Sequence, residues 1–255
     1  MAKITFLGTA GYIPSKNRES TSLVFIDDNE ESFLIDCVGS VIHRLLKARI
    51  DYKEINNILL THKHIDHING LVSFFHTLLG TKKKINIYGS GETLEFIKKI
   101  FEVHNLNDPE RFPEPVYNEV KINKVFFNSA NVEISAFAVK HISSSVGFKF
   151  SLKPSNTTWI YTSDTSYNEK LIDIVNNADY LIHECSSPSC YPYNKQMHTS
   201  SLDLGKLAQS AQVKTLIPIN FSTELNYEMN ELILELNQTF TGKIIIPSDF
   251  DTLQL

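Results

Sequence analysis

The chain has 255 residues, 42% of them hydrophobic, and a formal net charge of -5. That length supports one large core or two smaller ones, and the mild acidic excess excludes a surface that grips polyanions along its whole length. Three cysteines, Cys37, Cys185 and Cys190, form no C-x-x-C pair, so free thiols in a reducing cytoplasm are expected; no stretch approaches a membrane span and no apolar leader is expected.

In chain order, Ile4 to Leu7 reads as a strand ending in the turn Gly8-Thr9-Ala10-Gly11. Ser22 to Ile26 and Phe33 to Ile35 read as a hairpin across a polar tip, the second strand delivering Asp36. Val38 to Lys47 has a helical stripe of Val41, Ile42, Leu45 and Leu46. A short apolar strand then runs from Ile55 to Thr61, and Asn69 to Leu79 is periodic as a helix. Ile85 to Tyr88 is a strand, followed by a helix with Leu94, Ile97 and Phe101 on one side.

The stretch from His104 to Asn118 holds three prolines among charges and shows no period. It reads as a loop: a lid or dimer contact near the site, or plain surface. Strands resume at Val120 to Phe127 and Val132 to Val139, the latter delivering His141, and continue at Val146 to Phe150. Thr158 to Thr162 delivers Asp164, a helix spans Asn168 to Val175, and Tyr180 to Ile182 delivers His183-Glu184. A polar loop, Ser186 to Gln196, ends at His198, and Thr199 or Ser200 caps a helix running to Ala211. Thr215 to Ile219 delivers Asn220, and a last helix near Tyr227 to Leu236 precedes the strand Lys243 to Ile246. Strands first, then strands alternating with helices, suit two sheets packed face to face with helices outside, in one domain over 1–255.

Between the short strand and its helix lies Thr61-His62-Lys63-His64-Ile65-Asp66-His67. Imidazoles and a carboxylate are borderline donors that suit zinc and other late first-row metals. On extended backbone His62 and His64 share a face and reach one ion; Asp66 and His67 follow the turn and reach a second. This H-x-H-x-D-H pattern resembles the signature of the metallo-β-lactamase superfamily. Leu7 to Gly11, Arg18 to Ser22, Thr61 to Leu71, His183-Glu184, His198-Thr199 and Pro247 to Leu255 resemble ribonuclease Z and its close relatives.

The resemblance implies an α/β (α+β) fold, the αββα sandwich of two mixed sheets flanked by helices. It implies two zinc ions, or manganese, with His62, His64 and His141 on one metal, Asp66 and His67 on the other, and Asp164 bridging both. Asp36 would orient the ligand turn. Glu184 would hold His198, which protonates the leaving oxygen, while Asp66 shares in the role of base. Where the family places one more histidine, this chain has Asn220, a neutral and weaker donor. That departure implies a full first metal site and a weaker second one; alternatively Asn220 bonds substrate or a metal-bound water, or activity has been lost.

The implied chemistry is phosphodiester hydrolysis by metal-activated water. Ribonuclease Z proper carries a tRNA-gripping arm between the motifs that here end in His141 and Asp164. Two strands fill that interval, so a small diester such as a cyclic nucleotide is expected, hydrolysed by a homodimer, with RNA demoted. Two alternatives are a tRNA 3′ endonuclease and a binding protein that senses a ligand without turnover. His43, His76, His104 and His183 are expected to be structural or exposed.

Overall fold

Two seven-stranded sheets face each other across an aromatic layer, with helices covering both outer faces. The computed structural model describes residues 1–193 and 195–255; position 194, in the expected polar loop, lies outside the described residues. The first sheet comprises β1 (Lys3–Gly8), β2 (Ser22–Ile26), β3 (Ser32–Ile35), β4 (Asn57–Leu59), β5 (Lys84–Gly89) and β6 (Glu114–Glu119). The second comprises β7 (Lys124–Asn128), β8 (Val132–Ala138), β9 (Val146–Leu152), β10 (Thr157–Tyr161), β11 (Tyr180–Glu184), β12 (Thr215–Ile219) and β13 (Lys243–Ile244). A final strand, β14 (Thr252–Gln254), returns to the first sheet antiparallel to β1.

The strand orders are β14-β1-β2-β3-β4-β5-β6 and β13-β12-β11-β10-β9-β8-β7. In the first sheet β3 to β6 run parallel, and in the second β10 to β13 do. Parallel strands are buried on both faces, which is why Leu-Ile-Pro-Ile in β12 and Asn-Ile-Leu in β4 are apolar runs without alternation. Open parallel sheets present functional groups beyond their carboxyl ends. Asp36, Thr61 to His67, Asp164, Glu184 and Asn220 all follow or close such strands.

The helices are α1 (Val41–Lys47), α2 (Ile65–Ile68), α3 (Leu71–Thr77), α4 (Gly91–Val103), α5 (Lys170–Val175), α6 (Ser201–Ser210) and α7 (Met229–Thr239). Leu94, Ile97 and Phe101 of α4 are buried, as their spacing requires. Ser200 is the N-cap of α6, its hydroxyl accepting the Asp203 amide, and a reciprocal Glu228–Glu231 box opens α7. Between the sheets Trp159 stacks on Phe150 at 3.7 Å, and Phe25 meets the Phe150 ring edge-on from the opposite sheet at 5.3 Å.

Five features differ from the pattern in the sequence. The helix expected over 69–79 is α3, which starts at Leu71; a short α2 precedes it, set off by Gly70, where a Cβ would lie 1.9 Å from the Val38 carbonyl oxygen. The first helix starts at Val41 rather than Val38. The stretch 104–118 is not a lid in this chain. Leu106 and Phe112 are buried in the core beneath α3 and α4, its end is the strand β6, and none of its residues lines the main pocket. Two-residue periodicity is weak in β6 because Pro115 and a polar edge replace alternation. The strand expected at 120–127 is only Lys124–Asn128, and β14 carries too short a signal to be read.

Gly70 lets α3 pack directly on the segment after Asp36. Gly70→Ala should therefore destabilise the protein by about 1–3 kcal/mol through forced backbone displacement, measured by urea unfolding.

Candidate metal centre

The strands converge because each ends in a sharp reversal. Asp36 after β3, Ser163 after β10 and Asn220 after β12 all hold left-handed backbone, with φ of 56°, 59° and 62°. Non-glycine residues adopt this only where the surroundings enforce it. The effect is to turn Asp36, Asp164 and the Asn220 amide into one volume.

Asp36 is fully buried and accepts from four donors. Its Oδ1 takes the Thr61 amide at 2.9 Å, and the Thr61 hydroxyl lies 3.0 and 2.9 Å from its two oxygens. Its Oδ2 takes His67 Nδ1–H at 2.8 Å and the Tyr161 hydroxyl at 3.3 Å. The Tyr161 bond crosses between the sheets. With Nδ1–H committed to Asp36, His67 turns Nε2 toward Asp66 Oδ2 at 3.4 Å and Asp164 Oδ1 at 3.6 Å.

A second group meets beside it. His62 Nε2 and His141 Nε2 each lie 3.0 Å from His64 Nδ1, and the ligand atoms of His62, His64, His141 and Asp164 all fall within 4.8 Å of one another. His141 donates Nδ1–H to the Met197 carbonyl at 3.0 Å, so its Nε2 carries a lone pair. One proton cannot satisfy three nitrogens at this spacing, whereas one cation can. The donor set, three imidazoles and a carboxylate, is that of a zinc-type ion.

The electrostatics agree. Burial lowers the proton affinity of His62, His64 and His141, keeping them neutral as ligands must be. Burial acts the same way on His67, but the charges of Asp164 and Asp36 outweigh it and hold its pKa well above the ordinary value. Asp164 stays ionised despite burial because His67, His62 and His198 surround it. Asn220 donates Nδ2–H to Asp164 Oδ1 at 2.6 Å, with its Oδ1 toward Gly11, and so meets the carboxylate as a donor.

His198 lies on the pocket wall beside this cluster. Its Nδ1 donates to Glu184 Oε1 at 3.0 Å, and the Glu184 carboxylate also accepts the amides of Thr165 at 2.7 Å and Thr199 at 3.1 Å. Burial pushes Glu184 up to about 7 against the pull of His198. The Glu184 charge, with Asp164 and Asp66, holds His198 up to about 9 against its own burial.

The family described as anti-Pycsar protein Apyc1 matches residues 2–218. The chain belongs to the Apyc1 family. Ribonuclease Z of Prochlorococcus marinus (strain MIT 9515) is 25% identical over 303 aligned positions, covering 97% of this chain and 96% of that one. Among solved structures, the metallo-β-lactamase fold protein YhfI of Bacillus subtilis superposes with a TM-score of 0.84 at 21% identity over the full length of both chains. Human tRNase Z, short form, superposes with 0.79 at 21% identity, covering 99% and 98%. The fold is thus the metallo-β-lactamase αββα sandwich expected from the histidine motif, in the ribonuclease Z-like branch. As an Apyc1 family member the chain sits among hydrolases of this fold, and its His/Asp cluster has the composition to bind metal.

Every residue singled out in the sequence lies here: His62, His64, His141 and Asp164 in one group, Asp66, His67 and Asn220 beside it, Asp36 behind, and the Glu184–His198 pair on the wall. His183, adjacent to Glu184, points away and is fully buried. The sequence gives no sign of Tyr161, which is indistinguishable from any core aromatic in an apolar strand, nor of the Met197 carbonyl.

Asp36→Asn replaces an acceptor-only group with a half-donor. It should weaken zinc uptake by about 10–100-fold, read by competition with a chromophoric chelator.

Proposed function

We propose that this Apyc1 family member is a metal-dependent phosphodiesterase, one domain acting as a cytoplasmic homodimer, that hydrolyses a small diester of the cyclic-nucleotide class. The observation that carries the reading is His198 on the wall of the pocket that holds the His/Asp cluster, its far nitrogen fixed by a fully buried carboxylate. In this reading His62, His64, His141 and Asp164 hold one ion. Asp66 and His67, with Asp164 shared, hold a second and weaker one, because Asn220 supplies an amide where an imidazole would bind better. Zinc or manganese suits these donors. When bound, such cations make water acidic near neutral pH and neutralise charge on phosphoryl oxygens.

The chain's own groups do the rest. Asp66 takes up the proton released by the attacking water. Glu184 keeps His198 Nδ1 protonated and its ring oriented, so Nε2–H faces the pocket and protonates the departing alkoxide. Asn220 holds Asp164 in place from the other side.

The pocket supports a small substrate. It encloses about 590 Å³, within the range of single small-molecule sites. Among the described residues that line it there is no lysine or arginine, while Tyr12, Tyr193 and Leu225 offer apolar and aromatic surface. One phosphate at the cluster and one neutral planar group on that wall fit; a chain of phosphates finds no lysine or arginine among the described lining residues. Ile65, 67% exposed between two ligand residues, and Tyr12, 62% exposed, leave an apolar rim for a second copy to cover.

The curated relatives favour a second reading, a tRNA 3′ endonuclease, through their name. Their alignments run over 303 and 312 positions against a chain of 255 residues, so they carry segments that this chain lacks. The interval from His141 to Asp164 is filled by β9 and β10, joined by only 153–156.

A hydrolysis screen decides between them: bis(p-nitrophenyl)phosphate, the 2′,3′- and 3′,5′-cyclic nucleotides and a pre-tRNA, each with zinc or manganese. Cyclic nucleotides should turn over and pre-tRNA should not; cleavage of pre-tRNA alone, with affinity falling steeply in salt, would reverse the assignment. His198→Ala should lower kcat by about 10²–10⁴-fold. Because the acid form of His198 is required, activity is present below its raised pKa of about 9 and is lost as pH rises through it, a limb absent in the alanine variant. Asn220→His should tighten the second ion, seen as a metal-to-protein ratio approaching two at lower free zinc.

A further inference from the structure

Three of the four histidines in the cluster have their remote nitrogen held, each by a different device. His67 Nδ1 goes directly to Asp36, and His141 Nδ1 goes to the Met197 carbonyl. His62 has neither. Its Nδ1 lies 3.0 Å from the Thr61 hydroxyl oxygen, one residue back in the chain. Both residues are completely buried, so no solvent substitutes for that contact.

A hydroxyl has one hydrogen to give and lone pairs to receive. The Thr61 hydroxyl lies 3.0 and 2.9 Å from the two oxygens of Asp36, which also receive the Thr61 amide at 2.9 Å. A carboxylate only accepts, so the hydroxyl hydrogen points to Asp36. The lone pair left on Thr61 Oγ1 then faces His62 Nδ1, which must carry a hydrogen. That fixes the tautomer of His62 and leaves Nε2 bare, aimed at the point it shares with His64 and His141.

We infer that Thr61 is a positioning residue: its hydroxyl relays Asp36 to His62, so one buried carboxylate orients a ligand of each ion, His67 directly and His62 through Thr61. The role rests on the metal-centre reading above but not on any substrate. It requires a β-hydroxyl specifically. Valine has the same shape and neither accepts nor donates; serine keeps the hydroxyl and loses only a methyl group.

The test uses the full chain and zinc alone. Thr61→Val should bind the first zinc about ten-fold more weakly in competition with a chelator, with the second site unchanged because the Asp36–His67 bond is intact. Thr61→Ser should restore the first site to within about two-fold, a recovery that loss of packing does not explain. Nitrogen-15 NMR of the metal-free protein should show His62 as the Nδ1–H tautomer in the wild type and as a mixture in the valine variant. Wild-type zinc affinity in Thr61→Val, or equal loss at both sites, overturns the relay. So does an Nε2–H tautomer in the metal-free wild type, which decides the matter even if the valine variant does not fold. Failure of every phosphodiester in the screen leaves these readouts untouched.

Discussion

The Nε2 atoms of His62 and His141 both face His64 Nδ1 at 3.0 Å, and no single proton satisfies all three, so the surrounding fold has to hold the rings together. The Met197 carbonyl fixes one ring, and the network around Asp36 anchors the turn that carries the others. In neutral rings a hydrogen on His64 Nδ1 serves one of its two partners and leaves the other lone pair unmet, a deficit that a positive charge among them removes. The sandwich therefore maintains a local conflict that a cation relieves, and the aromatic and aliphatic layers hold that conflict in place.

The same logic explains the backbone at the strand ends. Asp36, Ser163 and Asn220 hold left-handed conformations at about 1 kcal/mol or more apiece. Aspartate and asparagine tolerate this better than serine does, since their short polar side chains bond locally. Ser163 offers only a buried hydroxyl for this. Left-handed backbone also occurs away from the site, at Glu30, Arg49 and Phe250 among others, but at these three strand ends it aims the site.

Much of this was legible in the residues. The H-x-H-x-D-H spacing brings its side chains together because strand and turn geometry leave few alternatives over so short a span. His141, Asp164, Glu184 and His198 are scattered in the chain, and strand ends alone would not have joined them; their family resemblance did. What stayed hidden depends on tertiary contact. Tyr161 reaches Asp36 from the opposite sheet, and nothing in Thr-Thr-Trp-Ile-Tyr separates it from a packing aromatic. The β6 edge strand escaped because Pro115 and flanking glutamates obscure its period, and the single-turn α2 because four residues are too few to show one.

The four residues that could hold one cation are divided between the two halves of the sandwich: His62 and His64 follow a strand of one sheet, His141 and Asp164 strands of the other. An ion bound there is a rivet between layers. Its binding energy and the docking energy of the sheets are then coupled, each strengthening the other by the same factor. Damage to the Trp159–Phe150 stack, remote in sequence from the histidine turn, would register as a leakier ion, and a lost ion as looser sheets.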